Sequence, residues 1–421
     1  MKKFNYGKIF LLGFGFFGVS VIWTVYNAFV PLFLANKFGL APAMIGFFMT
    51  LDNIAALFIQ PPVGAWSDRL RTKIGRRMPF ILIGAPVGAL AFGLIPLAAV
   101  LPLFVACTST LLLSMAFWRT PVVALMPDIT PSRFRSQANG IINLMGGLGT
   151  IIASLVGSTL YEINVNFPFW MGSGLVILAA LLVFLFIKEP KQYEETEKQP
   201  NMFASLKELS KEKDKSGLRI LLAIFFWFLT YNGIDSFLTL YATKHLMIPA
   251  GDAGRMSGHM GIFFVLFAIL AGILGSRIGR RRTISIGIVA MGLLVLLIAI
   301  LPVNFLTTEL GKLPALGMIR MVNLFLMAAG IAWSFININS LPMVVDLTTA
   351  ERIGTFTGLY YLFSTMAAII GPNLNGWIVQ LSGGNYGTIM IVGLLFLVIA
   401  LFLMLGVKRG EATKEDNILK E

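Results

Sequence analysis

Apolar residues run along this chain in long blocks, and the polar positions gather between the blocks instead of alternating within them. A helix needs about 20 predominantly apolar residues to cross roughly 30 Å of hydrocarbon. Twelve blocks reach that length: 9–35, 43–66, 78–99, 102–126, 137–160, 167–187, 218–242, 254–275, 284–301, 316–344, 355–379 and 386–407. The one long hydrophilic stretch runs from Lys188 to Arg219 with eight bases and seven acids, and it divides the blocks six and six. The pattern predicts an all-α membrane protein with twelve transmembrane helices in two pseudosymmetric six-helix bundles. The expected divisions are a first bundle over 1–187, a linker over 188–217, a second bundle over 218–407 and a tail over 408–421. Within the linker, Phe203, Leu206 and Leu209 recur at helical spacing, as in a short helix lying on a surface. A solvated spacer accounts for the same residues.

The two halves repeat each other in chain order. Tyr26-Asn27 returns as Tyr231-Asn232, and Asp128 with Gly140 returns as Asp346 with Gly358. The basic turn from Gly64 to Arg77 (GAWSDRLRTKIGRR) has a shorter echo in Gly272, Ser276, Arg277, Gly279, Arg280 and Arg281. A parallel duplication of six helices is what a carrier with two halves related by an axis along the membrane normal shows. Polar residues inside the blocks follow a period of three. Spans 3, 6, 9 and 12 are nearly bare, whereas spans 1, 4, 7 and 10 carry Thr24, Tyr26, Asn27, Ser114, Arg119, Thr120, Tyr231, Asn232, Asp235, Asn323, Asn337, Asn339 and Ser340. A polar group in hydrocarbon needs a protein or water partner. Every third helix is therefore expected to line an aqueous cavity, with interhelical hydrogen bonding the alternative for individual residues. Glycines 140, 146, 147, 149 and 157 in the fifth span read as close-packing positions. Pro61-Pro62 and Gly371-Pro372 are expected to bend the second and eleventh helices.

Composition agrees with the bilayer and assigns sides to it. Of 421 residues 57% are hydrophobic, beyond the share of soluble domains, and the mean hydropathy is +0.82. The net charge of +13 is unevenly placed: 27 of the 33 lysines and arginines fall on the side of the termini and 4 on the other. By the positive-inside rule both termini are expected in the cytoplasm, in a cytoplasmic (cell) membrane. The charge is a topology signal, so no nucleic-acid partner is expected. The first span lacks a small-residue cleavage site and is expected to be retained as a helix. Cys107 stands alone, so an intrachain disulfide is excluded; His245 and His259 have no cysteine cluster beside them, so no metal site is expected. No phosphate-binding loop, GxSxG or HExxH occurs, and neither an enzyme nor a cofactor is expected.

The sequence Gly64, three residues, Asp68, Arg69, then Gly75-Arg76-Arg77 resembles the loop signature of the major facilitator superfamily, with four extra residues between Arg69 and Gly75. In that longer form, and in the stretch RTPVVALMPDITPSRFRSQANG from Arg119, the chain is similar to the glycoside–pentoside–hexuronide:cation symporters and the sucrose–proton symporters. The resemblance implies the major facilitator fold and alternating-access transport of a sugar or glycoside driven by protons or sodium. Where melibiose-type symporters bind their cation with two acids, this chain has Ala56 and Gln60, and Arg119 stands where they hold a sugar-binding acid. The sodium site therefore does not carry over. The glycine-proline motif of drug–proton antiporters is absent from the fifth span.

Chemistry narrows the candidates further. Asp52 lies nine residues into the second span, roughly 13 Å from the far surface. An acid there is costly when charged, which suits it to carry a proton; a structural hydrogen bond with Asn53 or a neighbouring helix is the other reading. Asp235, three residues beyond Asn232 on one helix face, is the second proton-coupling candidate. Arg119 keeps its charge at any accessible pH and must find a substrate or a carboxylate. Tyr26, Asn27, Arg119, Tyr231, Asn232 and Asn337 form the expected substrate site, with amides suited to sugar hydroxyls and Trp23, Tyr26, Tyr231 and Trp118 offering ring faces. His259 reads as a satisfied core histidine. Gly64, Asp68, Arg69, Gly75, Arg76 and Arg77, with Arg277, Arg280 and Arg281 in the echo, are the expected conformational latch. The expected partners are a small-molecule substrate, a coupling proton and lipid, in a monomer. A carrier for another solute, such as an organic anion or drug, is the alternative, and a non-transport membrane protein or intramembrane enzyme lies further off.

Overall fold

A computed structural model describes residues 6–130, 135–189, 206, 209, 214–314, 316–347 and 353–409. Among them twelve helices are long and apolar enough to cross a membrane. They are α1 (Tyr6–Lys37), α2 (Pro42–Arg69), α3 (Met78–Leu97), α4 (Leu101–Met126), α5 (Ala138–Ile163), α6 (Phe167–Phe186), α7 (Ser216–His245), α8 (Ala250–Ile278), α9 (Arg280–Ile300), α10 (Met321–Val345), α11 (Gly354–Leu381) and α12 (Thr388–Leu405). Each coincides with one expected span to within a few residues.

Two departures have local causes. The second helix is interrupted at Met49-Thr50, where the Thr50 hydroxyl donates to the Phe47 carbonyl at 2.7 Å, and it runs on as helix through Pro61-Pro62. The tenth helix starts at Met321. Before it stands an antiparallel hairpin of β1 (Glu309–Leu313) and β2 (Gly317–Arg320), with Gly311 and Gly317 at φ of 154° and 72°. Backbone of that kind favours glycine and ends the helical run. Arg320, expected inside the tenth span, therefore lies ahead of the helix, where its backbone N–H donates to Asn323 Oδ1 at 2.8 Å.

The repeat read from sequence extends into backbone detail. Helices α1 and α7 both end in a five-residue π-helical turn, Phe33–Lys37 and Tyr241–His245. Pro42 and Pro249 then introduce the next helix in each half. Inside the first half α1 packs on α5 and α6, and α3 packs on α4 and α6; inside the second α7 packs on α11 and α12, and α10 on α8 and α9. The start of α7 is tied to the end of α12. The Asp214 carboxylate accepts from the Ser216 N–H at 3.0 Å and hydroxyl at 2.7 Å, with Arg409 beside it at 3.6 Å. Those hydrogen bonds, with Lys408 and Arg409, hold its carboxyl below the usual carboxylate range. Of the linker triplet, Leu206 and Leu209 are helical and pack on the core, as in the surface-helix reading, and Phe203 lies outside the described residues.

The halves meet through α2 with α11, α5 with α8 and α1 with α7. The α2–α11 contact depends on glycines that let backbones touch. A Cβ at Gly46 would lie 2.4 Å from the Pro372 carbonyl oxygen, and one at Gly376 would lie 2.5 Å from that of Pro42. Gly46→Val is expected to hold this end of the molecule apart. Spin labels placed on α2 and α11 at the end away from the termini should then report a longer distance than in the parent.

Candidate functional site

Contacts between the halves concentrate on the side away from the termini, here the far side. The Ala43 N–H donates to Gln380 Oε1 at 3.3 Å, and Asn373 Nδ2 donates to Thr50 Oγ1 at 3.0 Å. The Ser154 hydroxyl donates to the Gly254 carbonyl and accepts from the Gly258 N–H, both at 2.8 Å. Helices α5 and α8 stay together as far as Gly147, whose Cβ position lies 3.1 Å from Val265. Nearer the termini, Gly140 has nothing within 4 Å of its Cβ position, and Gly64 and Gly272 meet only Thr120 and Ile338 of their own halves. A central space results, shut on the far side and open toward the side of the termini.

The first half contributes Asp52, Arg119 and Tyr26 to that space. Asp52 sits in the first turn after the α2 interruption and is half-buried. Its Oδ1 accepts from Asn53 Nδ2 at 2.8 Å, and its charge acts on Arg119 and Tyr26. The hydrogen bond with Asn53 expected under the structural reading of this acid is present. Arg119 makes no direct salt bridge with Asp52, and Tyr361 of α11 is its second electrostatic neighbour. Tyr26 OH, Trp23 Nε1 and Thr120 Oγ1 are buried without a hydrogen-bond partner. Buried polar groups are ordinarily satisfied, so unpartnered ones beside a cavity are available to an occupant.

From the second half come Asp235, Tyr231 and Asn232. Asp235 lies within electrostatic reach of the Asn27 side chain of α1, so this acid and this amide face each other from the two halves. The Tyr231 ring stacks on Trp333 with centroids 4.3 Å apart and planes 8° apart. Asn232 Nδ2 turns back to the Phe228 carbonyl at 2.8 Å, leaving its oxygen free of any bond among the described residues. Asn337, on α10, is half-buried and lies one turn beyond Trp333.

Other polar residues of the period-three set are packing contacts. Ser114 Oγ donates to the Gly84 carbonyl across α3 and α4, at 2.5 Å. Asn339 Nδ2 donates to the Ala271 carbonyl at 3.0 Å. Trp118, expected to offer a ring face to substrate, instead packs against Gly84 and Gly88 of α3 and is 1% exposed. A helix so close to α4 requires glycine at 84, since a Cβ there would meet the Trp118 side chain at 2.6 Å. His259 is satisfied as expected, with Nε2 on the Leu316 carbonyl and Nδ1 on Asn323 Nδ2, each at 2.9 Å.

The basic turn forms a compact ion cluster on the side of the termini. Arg77 pairs with Asp68, Arg76 reaches the same carboxylate at 3.9 Å, and both arginines pair with Asp128 of the helix that begins α4, at 2.6 and 3.0 Å. Glu189 accepts from the backbone N–H groups of Arg76, Arg77 and Met78 at 2.8 to 3.2 Å, an anion seated on the amino end of α3. Gly75, at φ 118°, leaves room for it, because a Cβ would lie 2.4 Å from that carboxylate. Arg69 is exposed. In the echo Arg280 pairs with Asp346, Arg281 donates to the Leu405 carbonyl at 2.7 Å and Arg277 is exposed. The contacts named here fall within one half each. Asp128 pairs with both arginines of its turn, and its repeat Asp346 pairs with Arg280.

A second ion network closes the far side and does cross the halves. Arg255 of α8 is 4% exposed and binds Glu162 of α5 through two nitrogens at 2.5 and 3.0 Å, with Thr159 also at 3.0 Å. Asp252 bridges Arg255 and Arg320, each at 2.8 Å, and Glu309 of β1 completes the chain at 3.1 Å from Arg320.

A model of the Major Facilitator Superfamily matches residues 12–304 and 220–420. The chain belongs to that superfamily. It is an integral membrane transporter and not an enzyme. Multidrug resistance protein 2 of Bacillus subtilis (strain 168) is 22% identical over 90% of each chain. Multidrug resistance protein 1 of the same organism is 26% identical over 39% of this chain, which spans 41% of that protein's length. Sucrose transport protein SUT1 of Oryza sativa subsp. japonica is 27% identical over 36% of this chain and 32% of its own. Among solved structures, a bacterial homolog of the human lysosomal transporter Spinster, in an inward-facing and occupied conformation, superposes with a TM-score of 0.76 at 15% identity, covering 98% of this chain and all of that one. The nucleoside transporter NupG superposes with a TM-score of 0.71 at 18% identity over 96% and 99%. These two likenesses concern the fold.

In this transporter the sequence pattern missed an aromatic wall on the second half. Trp333 stands in T-shaped contact with Phe228 at 5.4 Å, Tyr360 OH meets Ser340 Oγ at 3.1 Å, and Tyr361 is an electrostatic neighbour of Arg119. Trp333 and Asn337 are four residues apart, the spacing that puts both on one helix face, and that spacing was the available signal.

Proposed function

We propose that this transporter moves a sugar or glycoside across the cytoplasmic membrane by alternating access, coupled to protons, with both termini in the cytoplasm. On that orientation the far side is outside and the described state opens inward. The observation that carries the reading is the polar set inside the spans: a carboxylate from each half, Asp52 with Arg119 in electrostatic reach and Asp235 with Asn27, beside a stacked Tyr231–Trp333 pair. Hydroxyl-rich solutes ask for amide and charged groups that donate and accept, and their C–H faces suit aromatic rings. Resemblance in the basic turn to sugar–cation symporters and the partial match to a sucrose transport protein support the sugar. Asp52 and Asp235 are the proton-coupling groups, Asp52 foremost because Arg119 lies within electrostatic reach of it. A second reading, transport of a drug or organic anion, is supported by the full-length match to a multidrug resistance protein and by Arg119 as anion partner. Uptake of a labelled sugar panel into vesicles, against a panel of lipophilic cations and anions, separates the two.

The ion cluster of the basic turn organises the loop that α2 and α3 share as the halves rock. Asp68→Asn removes one carboxylate from the buried Arg77 while the second, Asp128, remains. Because Asp68 is 51% exposed, the loss is about 1 kcal/mol. Transport by folded protein at matched expression is expected to fall roughly fivefold, and equal rates would remove the turn from the mechanism.

A further inference from the structure

Beside the polar centre, the second half holds a cavity of ≈ 50 Å³ lined by α7, α8, α9, α10 and α12. Its wall includes Met291, Val295, Ala329, Met390 and the stacked Trp333, with Asp235 the one carboxylate among the lining residues. Thr230, another polar lining residue, already donates to the Gly393 carbonyl at 3.0 Å. A void of this volume has room for about three to five water-sized groups, yet apolar walls leave water without partners. Such cavities stay dry and accept apolar groups instead. Methionine side chains, flexible and polarisable, adjust to occupants of varied outline.

The cavity shares Asp235, Tyr231 and Trp333 with the central site, so a solute held at Asp235 has direct access to it. We propose that this cavity is a subsite for the apolar substituent of a glycoside, a phenyl or short branched alkyl aglycone, whose sugar ring is held at Asn27 and Asp235. The inference rests on the sugar reading and narrows it: the preferred substrate is a glycoside with an apolar aglycone and not a free hexose. All the walls belong to one half. The subsite therefore keeps its shape as the halves rock, and its contribution falls equally on the ground state and the transition state of the conformational step. Uniform binding of that kind lowers KM and leaves kcat alone.

The test is a ligand series on the purified, full-length transporter: methyl, n-butyl, phenyl and 2-naphthyl β-glucosides and β-galactosides, with phenol as the aglycone alone. Binding is expected to tighten about tenfold from methyl to phenyl, the discrimination that a few carbon atoms give in an apolar pocket. It should weaken again at naphthyl, which exceeds the cavity, and the gain should appear in KM and not in kcat. Val295→Phe and, separately, Ala329→Leu fill the cavity from two different helices and are expected to bring the phenyl-to-methyl affinity ratio close to one. Equal affinity for methyl and phenyl glycosides, or a ratio that survives both filling variants, overturns the subsite while leaving sugar transport standing. Phenol bound as tightly as phenyl glycoside, with no methyl glycoside bound at all, overturns the sugar reading and the subsite together.

Discussion

Asp52→Asn is expected to abolish uphill accumulation driven by a pH gradient and to spare exchange of substrate between equal pools. An asparagine keeps the shape of the side chain and can still meet Asn53, whose Nδ2 lies 2.8 Å from Asp52 Oδ1. It cannot gain and lose a proton. Because Arg119 lies within electrostatic reach, the charged aspartate has a stabilising neighbour once its proton departs, and the neutral amide removes that alternation. Exchange needs the two gates but no net proton movement, so it separates the roles. If exchange is lost as well, Asp52 binds substrate or holds the structure; if accumulation is unchanged, coupling passes to Asp235, which meets Asn27 across the halves.

The far-side ion network gives the second large effect, in the opposite direction from Gly46→Val in mechanism and the same direction in outcome. Glu162 is half exposed and Arg255 almost wholly buried, at 47% and 5% of their side chains. Removing the carboxylate lies between breaking an exposed pair, about 0–1 kcal/mol, and breaking a buried one, about 3–5 kcal/mol, and Asp252 remains to share the arginine. A loss of about 1.4 kcal/mol is tenfold in the equilibrium between far side shut and far side open. Glu162→Gln is therefore expected to shift the population roughly tenfold toward the far-side-open state, read by spin-label distances between α5 and α8. Glu309→Gln supplies the control. Glu309 pairs with Arg320 inside one half, so its loss has no reason to favour either state. A shift of the same size from both variants would mean that the network acts only by stabilising the second half.

Helix positions were legible because the bilayer writes them in length and hydropathy, and the superfamily was legible in the turn from Gly64 to Arg77. The interruption of α2 at Met49-Thr50 was not. No proline or glycine marks it, and the conspicuous Pro61-Pro62 lies within continuous helix. Within the site, Asp52, Arg119, Asn27, Tyr231 and Asp235 stood out because polar groups in hydrocarbon are costly and few. Trp118 misled for a related reason: a tryptophan next to Arg119 on the chain points about 100° away on a helix, here onto Gly84. The Arg255 network was missed because Glu162, Asp252, Glu309 and Arg320 sit at span ends, where charges are ordinary, and only the folded arrangement brings Glu162 and Asp252 to Arg255, and Asp252 and Glu309 to Arg320, each within 3.1 Å.

The most direct measurement of the account is solute uptake by the purified protein in liposomes with an imposed pH gradient, using labelled glucosides and galactosides. Accumulation of a glycoside above its external concentration, dependent on the gradient and collapsed by a protonophore, is the predicted result. Transport of lipophilic drugs or organic anions with no glycoside moved under any gradient would contradict it.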